Sequence, residues 1–86
     1  MIVKLHDKLV CKENFSFEGE LNYSKNKIYE ITDVIYKYDI PDLVLILGDH
    51  EGYAWFNVLR DYNPKLSDYF CTIKEWRIKK LEKLNK

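Results

Sequence analysis

The chain has no apolar run longer than Leu43 to Leu47, far short of the roughly 20 residues a membrane-spanning helix needs. Near its N-terminus stand Lys4, His6, Asp7 and Lys8, where a secretory signal would place an apolar stretch. Neither export nor membrane insertion is expected, and a cytoplasmic location is. Cysteine is nearly absent: Cys11 and Cys71 form no Cys-x-x-Cys pair and have no neighbouring His, so neither a zinc site nor a disulfide framework is indicated. Both read as reduced core residues. A bridge between them would need their strands to lie side by side. With three glycines in all there is no phosphate-cradling loop, and no nucleophile elbow or close Cys-His pair occurs. No catalytic residue, metal or cofactor is therefore assigned, and the chain reads as non-enzymatic.

What is abundant is aromatic. Seven Tyr, four Phe and two Trp in 86 residues supply large buried areas to a chain that can hide only about 60% of its unfolded surface. All of it must serve a single core, so one domain over residues 1–86 is expected. Some of these Tyr must reach the surface, where aromatics are typical contact anchors. Charge is balanced at 14 against 14 but unevenly placed. Residues 1–71 hold twelve acids against eight bases, and residues 72–86 two against six. A basic tail lying on an acidic body, or simply complementing its own helix dipole, is the plain explanation; a binding surface is the other.

Along the chain, Leu9 to Cys11 reads as a first strand. A polar stretch over residues 13–27 follows as a long loop, where Phe15, Phe17, Leu21 and Tyr23 alternate as in an irregular hairpin folded back on the body. Ile28 to Tyr36 is the clearest strand, rich in Ile, Val and Tyr. Its alternation slips near Thr32 and Asp33, which predicts a bulge. Tyr38 to Asp42 has turn composition, Leu43 to Leu47 reads as a strand buried on both faces, and Gly48 to Gly52 connects tightly into a strand over Tyr53 to Val58. After a loop at Arg60 to Pro64, Leu66 to Cys71 reads as a short closing strand or a turn.

The last segment is predicted helical over about residues 72–84, with Thr72 and Glu75 at capping-box spacing. Ile73, Trp76, Leu81 and Leu84 fall on one side, and Glu75 with Lys79 and Glu82 with Lys86 form i,i+4 pairs on the other. Ile78 lies off the stripe, which leaves self-association open.

Five short strands, a long early loop and a late hairpin predict a mainly β, SH3-like partly open barrel of about five strands with a C-terminal α-helix. The stretch YSKNKIYEI from Tyr23 to Ile31 resembles the turn and strand that follow the long loop of SH3-like barrels, with Asn26 where that turn commonly has glycine. The layout from the first strand to YFCTIKEW, Tyr69 to Trp76, also resembles small proteins of unknown function from low-GC bacteria and their phages. That resemblance implies a phage or prophage accessory role and carries no site residue with it.

Asp49, His50 and Glu51 are the only acid-base residues clustered in sequence, and they read as a solvated hairpin tip; His6 and Asp7 lie in an N-terminal segment read as too flexible to hold a base. The expected function is a small protein-binding module acting on a host or phage protein, with modulation or inhibition of a bacterial host protein as one version. Tyr36, Tyr38, Tyr53, Trp55 and Tyr62 are the candidate anchors, at least two of them exposed, and Trp76 is the aromatic assigned to the core. The alternative is a nucleic-acid-associated domain using Lys74, Arg77, Lys79, Lys80 and Lys83 of the basic helix. The acidic body and near-neutral pI of 6.7 count against it.

Overall fold

A computed structural model describes residues 2–17, 21–49 and 52–84; at Phe17, Leu21 and residues 82–84 it describes the backbone alone. The chain is mainly β. Among the described residues seven strands form, β1 (Lys8–Cys11), β2 (Phe15–Phe17), β3 (Leu21–Tyr23), β4 (Ile28–Lys37), β5 (Ile40–Leu47), β6 (Tyr53–Asn57) and β7 (Phe70–Thr72), with a single helical turn α1 (Leu66–Tyr69) before β7 and a helix α2 (Ile73–Leu84) after it.

Five strands make one curled antiparallel sheet in the order β6-β5-β4-β1-β7, while β2 and β3 pair separately as a hairpin. The expected architecture, a small partly open five-strand barrel with a C-terminal helix, is thus the one observed. Asn26 does adopt a positive φ of 70°, a conformation that asparagine tolerates better than most residues. The slip at Thr32 is a register break between Ile31 and Asp33, the predicted bulge.

Alternation along the strands sends Leu9, Cys11, Tyr29, Ile31, Val44, Ile46, Phe56 and Phe70 into one core, joined by Val3, Tyr23 and Leu66. Phe70 is the hub of its aromatic part, with edge-on contacts to Phe56 at 5.3 Å, Tyr23 at 5.8 Å and Phe15 and Tyr29 at 5.9 Å. Such pairs add about 0.5–1.5 kcal/mol each beyond the area they bury. The β2-β3 hairpin folds back as expected. Phe15 stacks on Tyr23 and Tyr69, and the Tyr23 hydroxyl donates to the Ile46 carbonyl at 2.7 Å.

Several expectations fail for physical reasons. Strand β5 begins earlier, at Ile40, because the turn is only Tyr38 and Asp39, both with positive φ; this two-residue turn is tighter than the one at Gly48. Leu43 to Leu47 is not buried on both faces. Val44 and Ile46 face the core, whereas Leu43 and Leu45 are half-buried and Leu47 is exposed, since nothing among the described residues fully covers the outer face there. The N-terminal segment is not loose: His6 N–H donates to the Ile31 carbonyl, Ile31 N–H to the Asp7 carbonyl, and Val3 is buried.

Cys11 and Cys71 are free, buried thiols on adjacent strands. Val10 pairs with Cys71 and Cys11 with Phe70, so the two sulfurs point to opposite faces of the sheet and cannot bridge without breaking the register. Val10 and Cys71 share the outer face, where α2 packs across β1 and β7. Thr72 caps this helix, its hydroxyl accepting Glu75 N–H at 3.1 Å. Glu75 turns its carboxylate to the same hydroxyl, 3.0 Å away, and so makes no ion pair with Lys79; the pair Glu82 with Lys86 lies outside the described residues.

The predicted apolar stripe of α2 is only partly used. Ile73 and Trp76 are half-buried, Leu81 is 59% exposed and Ile78 48%, because only the start of the helix overlies the sheet. Trp76 is a correction too: it is outside the core and spans the outer surface to the turn at Asn26, to whose Oδ1 its indole N–H donates at 3.2 Å. Among the described residues no helix is long and apolar enough to cross a membrane.

Candidate binding surfaces

Asp49 is not a solvated tip. Its side chain is 16% exposed and accepts from Lys27 Nζ and Ser24 Oγ, each at 2.5 Å, and from the Tyr29 hydroxyl at 2.7 Å, while its own N–H donates to the Asn22 carbonyl. Tyr29 in turn accepts Ser24 N–H at 2.7 Å. Lys27 and these hydroxyls hold the Asp49 carboxyl down at about 2, and the bond to Asp49 raises the Lys27 ammonium. These partners come from β3, the β3-β4 turn and the start of β4, so the network fastens the β5-β6 connection to the barrel. Its groups are saturated with one another, which is the signature of a structural staple and not of a reactive carboxylate. His50 and Glu51 lie outside the described residues. Among the described residues no three His, Cys, Asp or Glu stand close enough to hold a metal ion.

Two surfaces remain. The first is the outer face of β4, β5 and β6. Register pairs Ile35 with Leu43, Leu45 with Trp55 and Leu47 with Tyr53, so all six side chains share that face. Ile35, Leu47 and Tyr53 are exposed, and Leu43, Leu45 and Trp55 half-buried. The strip runs on to the end of the β4-β5 ribbon, where Tyr36, Ile40 and Tyr38 are also exposed, Tyr38 to 87%. Tyr62, exposed in the following loop, has its carbonyl held at 3.1 Å by the side-chain amide of Asn57, which pairs with Leu43 on the same face. The fold places Tyr53 and Trp55 on the strip, Tyr36 and Tyr38 at the end of the β4-β5 ribbon, and Tyr62 in the loop after β6. Sequence alternation locates the aromatics but not the apolar face around them, since Leu43, Leu45 and Leu47 read as part of a strand covered on both sides and Ile35 as part of the separate Ile28 to Tyr36 strand.

The second surface is a cleft of about 510 Å³ between α2 and the turn at residues 25–26, lined by Lys12, Lys25, Lys79, Lys80, Trp76 and Asn26, with Cys71 at its base and Glu13 and Asp68 also bordering it. Burial pushes the Cys71 thiol above its ordinary range, so the sulfur there is a poor nucleophile. Of the basic helix residues, Lys79 and Lys80 line this cleft, whereas Lys74 and Arg77 are exposed outside it; the side chain of Lys83 lies outside the described residues. No family model matches the chain, and neither a curated protein nor a solved structure is significantly similar to it.

Proposed function

We propose that this is a small, non-enzymatic protein-binding module that engages its partner through the outer β4-β5-β6 face and the tip of the β4-β5 ribbon. The observation that carries the reading is Tyr38. In a two-residue turn with both φ values positive, Asn-Gly costs least; here Tyr38 and Asp39 take φ of 54° and 61°. A bulky residue in that conformation costs about 1–2 kcal/mol, and the ring recovers none of it by burial, being 87% exposed. Strain spent on displaying an aromatic side chain beside an apolar strip is what a contact anchor requires.

The complementary surface is an apolar pocket for Tyr38 on another protein, flanked by a basic group for Asp39. The strand order β6-β5-β4-β1-β7 with a hairpin inserted between the first two sheet strands supports reading the barrel as SH3-like. The partner in this reading is a host or phage protein met in the host cytoplasm, with inhibition of a bacterial enzyme as one form of the activity.

An affinity capture from bacterial lysate, with nuclease and at moderate salt, tests this when run beside the Leu47→Asp/Tyr53→Asp and Tyr38→Ala proteins. One protein retained by the wild type and lost by both variants, at unchanged circular dichroism, is expected. Equal retention by all three chains removes the outer face from the proposal, and capture that vanishes with nuclease removes the protein partner.

A further inference from the structure

Among the described residues, no basic side chain of the tail forms an ion pair with an acidic group of the body. Lys79 and Lys80 converge with Lys12 and Lys25 on one cleft, four ammonium groups against the carboxylates of Glu13 and Asp68. None of the four is within ion-pair distance of a described carboxylate: Lys12 Nζ donates to the Ser67 carbonyl at 2.8 Å, Lys80 Nζ stands 4.8 Å from the centre of the Trp76 ring, and the ion pairs among the described residues lie elsewhere. Four ammonium groups against two carboxylates leave this concave site with a positive excess, which attracts an external anion.

The anion is not asked for alone. Trp76 is half-buried, and its indole N–H is tied to Asn26, which fixes the ring plane within the cleft. A fixed aromatic plane ringed by lysines is a stacking platform with phosphate ligands around it. About 510 Å³ lies in the size range of pockets that enclose small-molecule ligands.

We propose that the cleft between α2 and the turn at residues 25–26 binds a nucleotide, free or as an unpaired unit of single-stranded nucleic acid, with its base on Trp76 and its phosphate among Lys12, Lys25 and Lys79. Lys80, now over the ring, moves aside to the phosphate when the base stacks. This site is separate from the outer β4-β5-β6 face and does not depend on it.

Fluorescence titration of a Trp55→Phe protein, in which Trp76 is the sole tryptophan, tests the proposal with AMP, a short oligothymidylate, inorganic phosphate and a polyglutamate peptide. Saturable quenching by AMP or the oligonucleotide is expected, and phosphate displaces either. If AMP binds as tightly as the oligonucleotide, the ligand is a free nucleotide; if the oligonucleotide binds more tightly, it is a strand. With three lysines on phosphates the oligonucleotide affinity falls about 20-fold between 50 and 200 mM salt. Lys25→Glu/Lys79→Glu weakens binding at least tenfold and flattens the salt dependence, with Lys25→Gln/Lys79→Gln as the milder pair should the reversal disturb folding. No saturable quenching at millimolar ligand, binding indifferent to both variants, or polyglutamate binding as tightly as the oligonucleotide would overturn it, the last making the cleft an acidic-peptide site.

Discussion

Replacing Asp49 with Asn keeps the shape of the staple and removes its charge, so the substitution isolates the electrostatic part of the link between the β5-β6 connection and the barrel. The carboxyl titrates at about 2 in the fold against an ordinary 3.8, a gap that corresponds to about 2.5 kcal/mol. Lys27, the largest contributor, has a half-exposed side chain, and screening by solvent and salt reduces the stabilisation to about 1–2 kcal/mol. Because the folded value is the lower one, this stability is fully present above the unfolded value near pH 4 and is lost as pH falls through about 2. Urea unfolding of both proteins from pH 7 to pH 2 measures it. Asp49→Asn is expected to be less stable by about 1–2 kcal/mol at neutral pH, with the two curves converging below pH 4. A difference that stays constant down to pH 2, or no difference at pH 7, would refute the electrostatic account and leave the network as packing alone. A Lys27→Met cycle with Asp49→Asn completes the assignment, since coupling between them is expected to carry most of the loss.

Phe70→Ala removes the hub of the aromatic core and is expected to cost about 3–5 kcal/mol, a large share of a small domain's total; thermal melting at a midpoint near the wild type's would show that the hub is not needed. Tyr23 is buried, and burial pushes its phenol up to about 12. Its contribution holds below pH 10 and is lost as pH rises through 12, so alkaline unfolding beginning above pH 10 is expected. Tyr23→Phe should remove that alkaline transition at a neutral-pH cost of about 1 kcal/mol from the lost bond to Ile46. Asp39→Gly relaxes one of the two positive-φ positions in the ribbon turn and is expected to raise stability by about 0.5–1 kcal/mol while leaving Tyr38 in place. A fall in the melting temperature would mean the Asp39 side chain supports the turn.

Much of the fold could be read from residue patterns because they are local: β-branched and aromatic alternation gave β4, its slipped phase gave the bulge, and Thr72 with Glu75 gave the helix start. The misreadings share one cause, that burial depends on what lies across from a strand. The run from Leu43 to Leu47 is apolar at every position, and composition alone cannot tell a strand covered twice from one whose second face is left bare. Asp49 failed similarly. Its partners Ser24, Lys27 and Tyr29 stand 20 to 25 residues away, and only the fold brings them to the connection. The cleft was hidden for the same reason, as Lys12 and Lys25 had no visible tie to the basic helix, and Trp76, at a helical spacing that suits a core residue, gave no sign that its helix crosses the outside of the sheet.

Strand β1 is four residues long, yet it is hydrogen-bonded to β4 on one side and β7 on the other, with Leu9 and Cys11 under the core and Val10 buried on the outer face beneath α2. Among the described residues no other strand is paired on both edges and packed on both faces in this way. Its amides can reach water only when sheet and helix come apart together, so their hydrogen-exchange rates report the opening of the whole molecule. The amides of the β4-β5 ribbon tip exchange through small local openings that leave β1 untouched. The surface offered to a partner can therefore yield and re-form around its contacts while the centre of the sheet holds its register.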